Sequence, residues 1–84
     1  MNLFVMSILY GCKSREIKGV YTSLDEATCF ATSDLSQDDL SGYAECIMIE
    51  EFVLGTLGSI REYSADVYKN TGLYSVSSNW ELGE

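Results

Sequence analysis

The strongest candidate for covalent chemistry in this chain is Cys12, which sits in a turn-like stretch beside Lys13 and close to Arg15. Neighbouring cations favour a thiolate, the form of cysteine that attacks carbon or binds metal. The rest of a catalytic apparatus does not accompany it. The chain has no histidine, so a general base near neutral pH would have to be a carboxylate or lysine with a strongly displaced pKa. Glu50 and Glu51 are adjacent on an expected strand and therefore point to opposite faces, which rules them out as a glycosidase-type pair. The acids Asp34, Asp38 and Asp39 do not alternate as calcium-loop ligands do, and no glycine stands at the sharp turn such a loop needs. Cys12, Cys29 and Cys46 are evenly spaced but contain no short Cys-x2-4-Cys pair of the kind that brings two thiolates to one zinc ion. No catalytic, cofactor-binding or metal-ligating residue is assigned, and an enzyme is not expected.

The charge distribution is more informative. The chain carries 13 acids and 5 bases in 84 residues, a net charge of −8. Asp25, Glu26, Asp34, Asp38, Asp39, Glu45, Glu50 and Glu51 all lie between Lys18 and Arg61, an interval without lysine or arginine, while the flanking segments balance. Such a chain is repelled by nucleic acid and anionic membrane and attracted to basic protein surfaces. Direct nucleic-acid binding would need a basic stripe, and Lys13, Arg15 and Lys18 make only one small basic turn. Carboxylates on one face of a strand repeat every 6.5 to 7 Å or so, close to the spacing of phosphates along a nucleic-acid strand. The candidate partner-binding residues are therefore Asp34, Asp38, Asp39, Glu45, Glu50 and Glu51, with Asp25 and Glu26 at the helix start, and Tyr43 and the exposed members of Tyr63, Tyr68, Tyr74 and Trp80 as aromatic anchors of the kind that dominate interface energy. Because Glu50 and Glu51 diverge, only one of them can join the Asp34 to Glu45 group.

The elements that position these residues can be read from periodicity. Hydrophobic residues make up 46% of the chain, too many for a disordered acidic tail, and the length suits one domain over residues 1–84. Leu3 to Tyr10 is apolar on both faces, as in a central strand. Ile17 to Thr22 reads as its hairpin partner. Ser23 to Glu26 has the spacing of a capping box, and Leu24, Ala27, Thr28, Ala31 and Leu35 form one helical stripe. Tyr43 to Leu54 is the longest strand candidate, with Ile47, Ile49 and Val53 on one face and Cys46, Met48, Phe52 and Leu54 on the other. Cys29 and Cys46 read as small packed residues of the helix and this strand.

Residues 60–69 carry two patterns. A Ser59 to Glu62 capping box and the spacing of Ile60, Tyr63, Val67 and Tyr68 suit a helix, whereas alternation around Asn70-Thr71-Gly72 suits a hairpin. The hairpin is the favoured reading, with Tyr68 opposite Tyr74. The expected fold is α+β: β-β-α-β followed by a C-terminal hairpin, an antiparallel sheet of four or five strands with one helix packed on it.

The odd cysteine count points to a reducing compartment, the cytoplasm, and the apolar start lacks both the basic flank of a signal peptide and the length of a membrane span. The run IKGVYTSLDEA, followed by an acidic loop and IMIEEFVLG, resembles the β-β-α-β opening of small bacteriophage and mobile-element proteins. In size, acidity and lack of histidine the chain is also similar to phage inhibitors of the anti-CRISPR and anti-restriction kind, some of which imitate nucleic acid. The resemblance implies a host inhibitor acting in a bacterial cytoplasm. The eight acids without a base point it to a basic nucleic-acid-binding surface of a defence or nucleic-acid-processing protein, and an unpaired edge such as the last hairpin leaves monomer and homodimer both open. The alternative expectation is an adaptor or regulator that binds through an apolar or edge-strand surface, with acidity serving solubility.

Overall fold

A computed structural model describes residues 2–11, 14–33, 35–40, 44–55, 58–70 and 72–83. Six strands and two helices follow in the order β1 (Asn2–Tyr10), β2 (Arg15–Tyr21), α1 (Leu24–Ser33), α2 (Gln37–Leu40), β3 (Ala44–Val53), β4 (Arg61–Asn70), β5 (Leu73–Val76) and β6 (Glu81–Gly83). The strands form one antiparallel, curled sheet in the order β2-β1-β3-β4-β5, with β6 also pairing β4. Strands account for 58% of the described residues, so the molecule is more sheet than an evenly mixed α+β domain.

β1 lies between β2 and β3, which explains why both of its faces are apolar. On one face Phe4, Met6 and Ile8 join Ile47 and Ile49 of β3, Ala65 of β4 and Val76 of β5 in the core, and Ala27, Ala31 and Leu40 of the helices close over them. Ile8, Ile47 and Ile49 are fully buried. The opposite face carries Leu3, Val5, Leu9, Cys46, Met48 and Phe52, none of which packs into that core. Among the described residues, no helix covers this outer face.

Helix α1 starts where the sequence places it. The Glu26 N–H donates to Ser23 Oγ at 3.1 Å, and Asp25 and Glu26 occupy the first turn, where the helix dipole favours carboxylates. Residues 36–39 form a reciprocal capping box. Ser36 N–H donates to Asp39 Oδ2 and Asp39 N–H to Ser36 Oγ, each at 3.1 Å, starting the one-turn helix α2. That turn bridges the two outer strands. Asp39 binds Lys18 of β2 at 2.8 Å, and Gln37 pairs with the backbone N–H and C=O of Tyr74 on β5, both at 2.7 Å.

Residues 61–70 are strand, so the Ser59 to Glu62 pattern starts no helix. Asn70 pairs with Leu73, and Gly72 adopts φ 85°, a conformation that a side chain makes costly. The register sets Lys69 opposite Tyr74 and Tyr68 opposite Ser75, which corrects the expected Tyr68–Tyr74 pair. Lys69 Nζ lies 5.5 Å from the Tyr74 ring centre, a cation–π contact. The returning strand then leaves ideal pairing: from Val76 to Glu81 it uses five steps while β4 uses three, from Val67 to Ser64. The two extra residues open a bulge that contains Ser78, Asn79 and Trp80.

Gly19 shows how tightly the core side is built. A Cβ there would stand 2.5 Å from the Tyr21 hydroxyl oxygen, and Tyr21 stacks on Phe30 with ring centres 5.1 Å apart. Gly19→Ala is expected to push the ring off Phe30 and lower stability by about 1 kcal/mol, which urea unfolding measures. Ile47→Ala, by contrast, is expected to cost about 2–5 kcal/mol through the lost burial and the cavity left behind.

Candidate interaction surfaces

Ion pairing sorts the sequence-predicted acids into two groups. Glu50 lies on the outer face of β3 opposite Val5 and is buried, with a salt bridge to Arg15 of β2. Arg15 Nε also donates to Ser7 Oγ at 3.2 Å, and Ser7 is fully buried beneath it. Glu51 points to the core side and is buried as well. It accepts from Asn2 Nδ2 at 2.5 Å and from the Tyr63 hydroxyl at 3.3 Å, with Arg61 at 3.8 Å. The two glutamates do diverge, as alternation requires, but neither stands on an open acidic surface.

Asp39 is also engaged. Its carboxylate holds Lys18 and caps α2, and Lys18 bonds Glu16 as well at 2.8 Å. Lys18 is the extra residue of a bulge between Met6↔Gly19 and Ser7↔Ile17, and such an insertion re-aims a side chain. The Lys18 hydrogen bond, aided by Ser36, holds Asp39 below the usual carboxylate range, while Asp39 and then Glu16 raise the Lys18 ammonium.

Asp38 and Glu45 are exposed at one end of the sheet. Glu45 is the extra residue of a second bulge, between Leu9↔Cys46 and Tyr10↔Ala44. Asp25 and Glu26, exposed at the start of α1, mark the other end, where β2 finishes. The candidate residues Asp34 and Tyr43, and the thiol Cys12, lie outside the described residues. The acid group expected along one surface is thus split in two, and the structure leaves Asp38 and Glu45 as its outward members at one end.

The bases carry the complementary fact. Each of the four described basic side chains has an internal partner: Arg15 with Glu50, Lys18 with Asp39 and Glu16, Arg61 with Glu51, and Lys69 with the Tyr74 ring. Arg15, Arg61 and Lys69 stay solvent-exposed beside these partners, but among the described residues exposed acids outnumber exposed bases.

Two surfaces were not evident in the sequence. One is the outer sheet face, where Ile17 is 62% and Val20 58% exposed beside the half-buried Leu3, Val5, Met48 and Phe52. The other is a groove of about 260 Å³ between α1 and the bulge before β6, lined by Asp25, Thr28, Cys29, Thr32, Ser78 and Trp80. The i, i+3, i+4, i+7 spacing of the four helical residues was readable, but only the bulge shows what lies across from them. Cys29 is exposed here, contrary to its expected packing, and Cys46 is half-buried. Burial, with Asp66 and Glu45 nearby, raises the Cys46 thiol, which keeps it protonated and unreactive at neutral pH.

Among the described residues, no cluster of three or more Cys, Asp or Glu side chains is arranged to hold a metal ion, and no helix is long and apolar enough to cross a membrane. The chain matches no family model, no curated protein and no solved structure.

Two outcomes test the ion pairs. Arg15→Met strands the buried Glu50 carboxylate and is expected to lower stability by about 2 kcal/mol, less than a fully buried pair because Arg15 is partly solvated, and Arg15→Met with Glu50→Leu is expected to recover most of the loss. Urea titrations of the single and double variants check this. For Asp39, whose carboxyl is held low in the fold, the contribution is complete above the ordinary carboxylate pKa of about 4 and disappears as pH falls through the lowered value. Asp39→Asn is therefore expected to flatten the acid limb of a stability–pH curve below about pH 4.

Proposed function

We propose that the protein is a stoichiometric protein-binding inhibitor, of the phage anti-defence kind, whose carboxylate surface occupies a basic nucleic-acid-binding site on a bacterial protein. The observation that carries this reading is the excess of exposed acids over exposed bases on folded elements among the described residues, with Asp25, Glu26, Asp38 and Glu45 of the acid-only interval all solvent-exposed. Charge fixed on a rigid frame can meet a basic site without paying the ordering entropy of a flexible tail. Exclusion of the substrate then needs no catalysis, only overlap with the phosphate-binding surface.

The test is competition. A basic partner captured from a bacterial host is expected to release its DNA or RNA in a mobility-shift titration with this protein. Asp38→Lys with Glu45→Lys is expected to weaken that effect about tenfold or more, and raising salt to weaken it further. Undiminished nucleic-acid binding by the partner at saturating protein would overturn the reading.

The outer sheet face supports a second reading, an adaptor that binds another protein through Ile17, Val20 and their neighbours. It predicts the opposite pattern: binding that changes little with salt and is lost in Ile17→Lys with Val20→Lys, as measured by calorimetry at two ionic strengths.

A further inference from the structure

The groove between α1 and the β5–β6 bulge has a chemistry of its own. Along the helix its wall is an acceptor surface. Thr28 Oγ1 donates its proton to the Asp25 carbonyl at 3.1 Å, and Thr32 Oγ1 donates to the carbonyls of Thr28 at 3.0 Å and Cys29 at 3.2 Å. With their protons committed to the backbone, both hydroxyls can offer only lone pairs to a ligand. Asp25 adds an exposed carboxylate on the same helical stripe. The facing wall holds Trp80, half-buried in the bulge and packed partly against the core. An indole ring is the preferred aromatic partner of a cation.

We propose that this groove binds an arginine side chain of the basic partner, the guanidinium stacking on Trp80 and donating to Asp25 and the two threonine hydroxyls. The inference rests on the reading of the protein as a binder of basic surfaces and names the contact by which it selects one. Guanidinium fits better than ammonium for two reasons: its plane stacks on an indole, and its five N–H groups match several acceptors spread along a helix. The groove is open to solvent along its length, as entry of a side chain from a partner's surface requires. The strand insertion has a use in this arrangement, because without its two extra residues Trp80 would continue the ladder along β4.

Trp80 is the only tryptophan in the chain, so its emission reports the site directly. Titration with an acetylated and amidated Gly-Arg-Gly-Arg-Gly peptide is expected to give a saturable change in Trp80 fluorescence. The lysine counterpart is expected to bind about fivefold more weakly or worse, and the neutral citrulline counterpart not measurably, because stacking and charge-assisted hydrogen bonds are lost. Asp25→Asn is expected to weaken the arginine peptide about tenfold, with Thr28→Val as a second variant and urea unfolding to show that each remains folded. No saturable change, or an equal response from the citrulline peptide or from folded Asp25→Asn, would overturn the proposal. The outcomes separate from those above: loss of peptide binding with nucleic-acid competition intact removes the groove alone, and peptide binding without competition removes the inhibitor reading.

Discussion

The pairing of acids from the middle of the chain with bases from its two ends is the interaction on which the arrangement depends. Arg15 reaches Glu50, Lys18 reaches Asp39 and Arg61 reaches Glu51, so each pair crosses from a flanking segment into the acid-only interval. Two of these acids are buried, and a buried carboxylate is tolerated only when charge and hydrogen bonds compensate its desolvation. The pairs therefore help set which strands lie beside one another. Arg15 on β2 meets Glu50 on β3 across the outer face of β1, and Arg61 on β4 meets Glu51 across the neighbouring ladder.

The same bookkeeping determines what a partner sees. Five bases among thirteen acids suggest a mixed surface, and in the fold Arg15, Arg61 and Lys69 stay exposed while three acids of the middle interval, Asp39, Glu50 and Glu51, are taken up by ion pairs. Linear charge pattern and surface charge pattern are different quantities. Glu50 and Glu51 look like two of the best docking residues in the sequence and are structural in the fold, whereas Asp25 at the helix start gains a groove and an aromatic neighbour.

The elements were legible where periodicity and capping act locally. The two-sided apolar character of Leu3 to Tyr10 indicated a central strand, Ser23 to Glu26 marked a helix start, and alternation in Cys46 to Val53 assigned each side chain to its face. Ser36 and Asp39 carried a readable capping signal for α2 as well. The ambiguity at 60–69 was real, because Ser59 and Glu62 have helical spacing while Tyr63, Ala65 and Val67 alternate. Pairing with β3 on one side and with β5 and β6 on the other decided it in favour of strand. Register could not be read in the same way. The pairing of Lys69 with Tyr74 depends on where the turn closes, and the Lys18, Glu45 and Trp80 insertions are set by partners distant in sequence.

The central position of β1 also constrains the order in which the chain can acquire structure. β2 is available to pair with it after a short loop, but β3 begins only at Ala44, more than thirty residues after β1 ends. Until then a nascent β1–β2 hairpin would present Phe4, Met6 and Ile8 on one side, Leu3, Val5 and Leu9 on the other, and an unsatisfied row of backbone donors and acceptors along its free edge. Such an edge is a template for wrong pairings as well as the right one. Closing it spans a long loop, so attachment of β3 is the step at which contact order weighs most on the folding rate. The strand that anchors the finished sheet is thus the segment most exposed to misassembly while the protein is being made.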